Sequence, residues 1–114
     1  MVTAVYGRSE NRFSLHMTGH ATGSSAVCAA CSAIVYTLLG WLENSPEHAH
    51  IGSAQACSGA FSLDAAGDGQ AGAVFDAALL GLMQIEAQYP ELVRVTENGE
   101  FAGKCLLQSF AAGK

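Results

Sequence analysis

The sequence predicts an α+β fold, a mixed or antiparallel sheet of five to six strands with two helices packed on it in the order ββαββαβ(β). Three observations carry that prediction. Phe13, Leu15 and Met17 alternate strictly with Ser14, His16 and Thr18, the period of a strand with one buried face. Residues 26–42 hold no charge and run as one apolar helix. Residues 73–89 place Phe75, Leu79, Leu82, Ile85 and Tyr89 at helical spacing, with Asp76, Gln84, Glu86 and Gln88 free to face water, until Pro90 stops the run.

The other elements follow in chain order. Residues 2–6 are β-like, and Gly7-Arg8-Ser9-Glu10-Asn11 is a polar turn that joins them to the alternating strand as a hairpin. Gly19-His20-Ala21-Thr22-Gly23-Ser24-Ser25 then breaks all periodicity with small residues suited to a mobile loop, a gate that orders when substrate arrives. Ser24 or Ser25 can cap the first helix, and Asn44-Ser45-Pro46 closes it. Residues 51–57 and 60–63 read as strands around a Ser58-Gly59 turn, and the Gly- and Asp-rich residues 64–72 read as a loop. After the second helix, residues 92–96 and 101–110 read as a hairpin, because Asn98-Gly99 supplies the positive φ angles of a tight turn. The first helix is apolar on nearly every face, so the second helix or another subunit must cover what the sheet leaves bare.

With 114 residues, 50% of them hydrophobic and 13% charged, the chain suffices for one domain over residues 1–114 and not for two. Ten acidic residues against five basic ones, a formal net charge of -5, offer no electrostatic footprint for phosphate backbones, so nucleic acid is not an expected partner. The apolar half of the composition excludes intrinsic disorder. Met1-Val2-Thr3-Ala4-Val5-Tyr6 has neither the basic start nor the long apolar stretch of a secretory signal, so a cytoplasmic location with reduced thiols is expected. Residues 26–42 touch the lower length limit of a membrane span, but their Ala, Ser and Cys content and the lack of flanking Lys or Arg point to a core helix and no membrane partner.

Chemistry concentrates at His20, in the Gly-flanked loop, and Cys28, in the first turn or two of the apolar helix. A thiol near a helix N-terminus meets the positive end of the peptide dipoles and unpaired N–H groups, which stabilise a thiolate, and an imidazole beside it completes a nucleophile pair. Ser32 lies one turn deeper on the same helix face. The spacing by itself also fits a packed core thiol and a solvent-exposed imidazole. Cys28 and Cys31 form a C-x-x-C, which alone would suit a redox pair, but no aromatic precedes it and neither Pro46 nor Pro90 is placed to face a disulfide. A zinc site from Cys28, Cys31, His20 and Cys57 is disfavoured because such pairs occupy turns and not a helix body, so no metal and no cofactor is expected. Cys57 and Cys105 read as packed thiols, His16 as a polar-face residue, and His48 and His50 as exposed loop residues. Asp64, Asp68 and Asp76 remain open as a third group that could orient His20.

Gly19-His20-Ala21 after a strand, followed by Val27-Cys28-Ala29-Ala30-Cys31-Ser32-Ala33-Ile34 opening a helix, resembles the ribosomal-processing cysteine protease family (the Prp-like proteins), with its G-H-A triplet and V-C-A-A-x-S-A segment. The segment from Leu79 through Tyr89-Pro90 to Val95 is similar to that family's second helix and its exit into a strand. The resemblance implies a cysteine endopeptidase that removes the N-terminal extension of the twenty-seventh protein of the large ribosomal subunit, or a related phage protein. Its substrate would be a Leu-Gln-x-Phe-Ala-like peptide. It implies Cys28 as nucleophile and His20 as general base, with Ser32, Gly19, Ala21, Gly23 and Ser25 in supporting or substrate-contact positions, and a homodimer. The alternative is a non-catalytic dimeric peptide-binding module of the same fold. Two departures bear on this. The loop before Ala26 is several residues shorter than the family's, with Ser25 where the family has Asp, and Cys31 is an additional thiol. The Leu107-Gln108-Ser109-Phe110-Ala111 segment is itself similar to the family's cleavage sequence, although it equally suits a terminal strand with Leu106, Gln108 and Phe110 on one face.

Overall fold

The computed structural model describes residues 1–98. The expected hairpin through Gly99, its strand over 101–110, Cys105 and the Leu107–Ala111 segment lie outside those residues. The elements are β1 (Val2–Arg8), β2 (Arg12–Thr18), α1 (Ser25–Glu43), β3 (Ala49–Cys57), β4 (Ala60–Gly67), α2 (Gly69–Gln88) and β5 (Val93–Glu97). The strands form one sheet in the order β3-β4-β2-β1-β5, antiparallel throughout except for the parallel pair β1 and β5. The mixed sheet and the ββαββαβ order are those expected. The parallel pairing follows from the crossover through α2, since strands joined across a helix can run in the same direction.

The alternation legible in β2 holds for Phe13, Leu15 and Met17, which are buried, and for His16 and Thr18, which are exposed, while Ser14, expected on the polar face, is buried as well. Val2, Ala4 and Tyr6 of β1 and Phe61, Leu63 and Ala65 of β4 bury on the same side. Both helices pack against that face, and Phe75 of α2 stacks on Phe13 with ring centroids 5.3 Å apart. Helix α1 buries Val27, Cys31, Val35, Leu38 and Leu42, one stripe at helical spacing, and leaves Ala29, Ala30, Ala33, Tyr36 and Thr37 exposed. By length and composition α1 could cross a membrane; in this fold it lies along the sheet and beside α2.

Residues 64–72 are not a loop. Strand β4 continues to Gly67, because Asp64 occupies a polar-face position between buried Leu63 and Ala65 and so keeps the period of two. Helix α2 starts at Gly69 because Asp68 caps it, its Oδ1 accepting from the N–H groups of Gln70 (3.0 Å) and Ala71 (3.1 Å). Gly72 leaves room for Arg8, whose guanidinium a Cβ there would meet at 2.5 Å. Arg8 thereby reaches Asp76 at 2.8 Å and lies over the Phe13 ring at 5.1 Å.

His48 is not the free loop residue expected. It is half-buried, its Nδ1 lies 2.7 Å from the second oxygen of Asp68, and its ring stacks with Trp41 at 6.0 Å. His50, also expected in a loop, is an exposed residue of β3. The hydrogen bond to Asp68 raises the His48 pKa above its ordinary value, against a smaller opposing desolvation. The Asp68 pKa is lowered, first by His48 and then by the Ala71 amide. The His48 contribution to stability is therefore complete below the ordinary imidazole pKa and fades as pH rises through the elevated folded value. That of Asp68 is complete above the ordinary carboxyl pKa and fades as pH falls through the depressed one. Replacing His48 with Gln should lower Tm in the window between the two values and have progressively less effect toward alkaline pH. Trp41 is the only tryptophan, so its fluorescence should titrate with His48 in the parent protein and lose that transition in the variant.

Candidate active site

Three parts of the chain meet at one end of the sheet: the exit of β2 at Gly19 and His20, the first turns of α1, and the Ser58-Gly59 turn between β3 and β4. They enclose an open cavity of about 190 Å³ lined by Gly19, His20, Cys28, Cys31, Ser32 and Tyr36, with Cys57, Ser58 and Gly59 on the opposite wall. Its floor is apolar, from Val2, Met17, Val35 and Phe61.

Two glycines make the geometry possible. Gly19 has φ of +96°, donates its N–H to the Gly59 carbonyl at 3.0 Å, and has no space for a Cβ, which would overlap the carbonyl oxygen of Met1. Gly59 has φ of +77°, the conformation required at the third position of a type II turn, and its bare Cα carries the His20 imidazole. A Cβ on Gly59 would lie 2.6 Å from His20 Nε2.

From His20 the chain turns at once into α1. The Ser24 N–H donates to the Ala21 carbonyl at 2.9 Å, and Ser24, not Ser25, is the N-cap, its Oγ accepting from Val27 N–H at 3.3 Å. This tight return brings Ala21 N–H to 3.1 Å from Cys28 Sγ. The cysteine is half-buried in the second turn of the helix, with its sulfur held by that backbone donor. His20 and Cys28 share the cavity, but the Cys28 sulfur is bonded to the Ala21 backbone and the exposed imidazole rests on Gly59. Among the described residues no hydrogen bond joins the two side chains.

Ser32 is exposed and lines the cavity, as its place one turn beyond Cys28 implied. Ala21 contributes its amide, while its methyl is buried. Gly23, with φ of +87° in open space, and Ser25, the exposed first residue of α1, lie outside the cavity lining. None of the three Asp candidates orients His20: Asp64 faces Ser53 and His16, Asp68 holds His48 and the start of α2, and Asp76 pairs with Arg8.

The thiols sort by environment. Cys31 is buried, and its pKa is raised by desolvation first and by the neighbouring Cys28 second, so it stays a neutral core thiol. Cys57 is not packed as expected: β3 is an edge strand, and residues 52–57 are all exposed, so this thiol opens onto the cavity. The β3–β4 turn and Tyr36 are the parts of the site that reading the sequence missed. Tyr36 had a signal, since Cys28, Ser32 and Tyr36 repeat every four residues along one helix face. The turn had none that placed it beside Gly19.

Residues 1–94 match the sequence family described as cysteine protease Prp. No curated protein matches the chain. Among solved structures, the ribosomal processing protease Prp from S. aureus with a covalently linked product peptide superposes with a TM-score of 0.74 at 20% identity, covering 86% of this chain and 100% of that one. The same protein with a substrate peptide gives 0.68 at 19% identity with the same coverage. The SMU.848 protein of Streptococcus mutans gives 0.63 at 24% identity, covering 86% and 96%. At these identities the likeness to the solved structures is one of fold.

Proposed function

This chain belongs to the cysteine protease Prp family, and from that premise we propose that it is an endopeptidase with Cys28 as nucleophile and His20 as its proton carrier. Its substrate is the N-terminal extension of the twenty-seventh protein of the large ribosomal subunit. The observation that carries this reading is the placement of Cys28 Sγ, 3.1 Å from Ala21 N–H in a cavity shared with His20 and Ser32. An extended peptide laid in the cavity presents its carbonyl carbon to the sulfur. His20 swings from Gly59 toward Cys28, takes the thiol proton as the C–S bond forms, and returns it to the departing amine as the C–N bond breaks. The N–H groups of Ser25 and Ala26, at the start of α1 and ahead of the Val27 N–H that Ser24 Oγ holds, receive the developing oxyanion. Water activated by His20 then hydrolyses the thioester. Ser32 contacts the substrate or the dyad, and the loop over residues 19–25 closes on the bound peptide.

A net charge of -5 favours encounter with a basic, flexible N-terminus in the cytoplasm. The exposed face of α1 and the apolar hollow that Ala33, Ile34, Val74 and Ala78 line between the two helices support a homodimer. The missing hydrogen bond between His20 and Cys28 favours one second reading, a peptide-binding module without turnover. Incubation with a peptide containing Leu-Gln-Ser-Phe-Ala, followed by mass spectrometry, separates the two: hydrolysis after Phe supports the protease, and saturable binding with no product supports the module.

A further inference from the structure

The two edges of the sheet are treated differently. At β5 the side chain of Glu86 accepts the Val95 N–H at 3.1 Å, and Arg94 and Glu97 put charge on the strand, so this edge is occupied and guarded. At β3 the register shifts between Ile51 and Ser53, and from Ser53 to Cys57, among the described residues, nothing guards the edge. Residues 51–57 carry no charge and no proline, and six consecutive residues, 52–57, are exposed. Edge strands left flat, small and uncharged are templates for another strand.

The hydrogen-bond register shows which groups are offered. The Gly19 N–H bond to the Gly59 carbonyl continues the ladder between β2 and β4 and fixes its alternation: Phe61 bonds toward β2, so Ala60 bonds toward Cys57. Cys57 and Gln55 therefore spend their backbone groups on β4, while Ala56 and Ala54 turn theirs outward. The side chains of Ala54 and Ala56 stand opposite Leu63 and Phe61, on the helix-covered face where the cavity opens, and methyl groups leave room for a neighbouring strand. The free edge runs into the cavity at Cys57, and Tyr36, 52% exposed, stands as its outer wall.

We infer that the substrate peptide binds as an added sheet strand, hydrogen-bonded to the outward N–H and C=O groups of Ala54 and Ala56, which deliver its scissile bond to Cys28. The inference rests on the proposed peptidase reading. It specifies the substrate class as an extended, unstructured segment with a period-two requirement for free amides, and it assigns the apolar floor of Val35 and Phe61 to a substrate side chain.

Backbone hydrogen exchange on the Cys28→Ala protein with the Leu-Gln-Ser-Phe-Ala peptide tests it. The amides of Ala54 and Ala56 should gain at least about tenfold protection on binding, whereas Gln55 and Cys57, already bonded, should not change. Ala56→Pro removes one outward donor without touching the β4 ladder, and should raise KM about tenfold with kcat nearly unchanged. N-methylation of successive peptide amides should weaken binding at alternate positions only. Unchanged exchange at Ala54 and Ala56 in a saturated complex overturns the proposal. So does protection that rises with protein concentration in the absence of peptide, which would assign the edge to a second copy of the chain. Protection with no hydrolysis by the parent protein would retain the docking mode and remove the protease.

Discussion

Cys28→Ala is expected to lower peptide hydrolysis by at least about 10⁴-fold, because neither of the other thiols lining the cavity has its position at the α1 N-terminus: Cys57 lies on the opposite wall, at the end of β3. Cys31 is the nearest thiol, but it is buried and its pKa is raised by desolvation, so it cannot replace Cys28. His20→Ala should cost about 10²- to 10⁴-fold, the usual range for loss of a positioned acid and base. His20 is exposed and its ring only rests on Gly59, so this variant should melt close to the parent protein. Product formation followed by chromatography, with Tm measured on the same samples, checks both. Cleavage that survives Cys28→Ala would exclude the proposed mechanism.

Gly19→Ala is expected to be the most damaging small substitution near the site. The residue has φ of +96°, which costs an L-residue about 1–2 kcal/mol. Its Cβ would also overlap the Met1 carbonyl oxygen, so β1 or the turn must shift, and the Gly19 N–H bond to Gly59 would be strained with it. A total of about 2–4 kcal/mol corresponds to a fall in Tm of roughly 10–20 °C for a chain of this size. Activity should fall as well, since His20 is the next residue. Gly23→Ala isolates the two effects, because Gly23 has φ of +87° but open space at its Cβ. It should lose only the backbone share. Equal losses in the two variants would show that the close approach to Met1 contributes nothing.

What was legible in the sequence was local. The stripe Val27, Cys31, Val35, Leu38 and Leu42 and the alternation in β2 are set by 3.6- and 2-residue periods, which neighbours in the chain display. The error over residues 64–72 has a local cause as well: Asp and Gly suit both loops and helix starts, and only the hydrogen bonds of Asp68 distinguish the cap from the loop. His48 was misread for a different reason, since its partner lies 20 residues away.

The candidate dyad shows the same division. His20 and Cys28 were singled out from the residues between Gly19 and Ile34, whose order along the chain is enough to put a His-bearing loop before a Cys-bearing helix. The sequence by itself determined the class of fold, the positions of the helices and the two candidate side chains. Only the tertiary structure decided that β4 lies beside β2, which brings Gly59 under the imidazole and Cys57 to the rim of the cavity. It alone decided that β3 becomes an open edge among the described residues while Glu86 occupies the other. These are strand pairings between distant segments, set by which apolar faces can be buried together, and no periodicity within either segment records its partner.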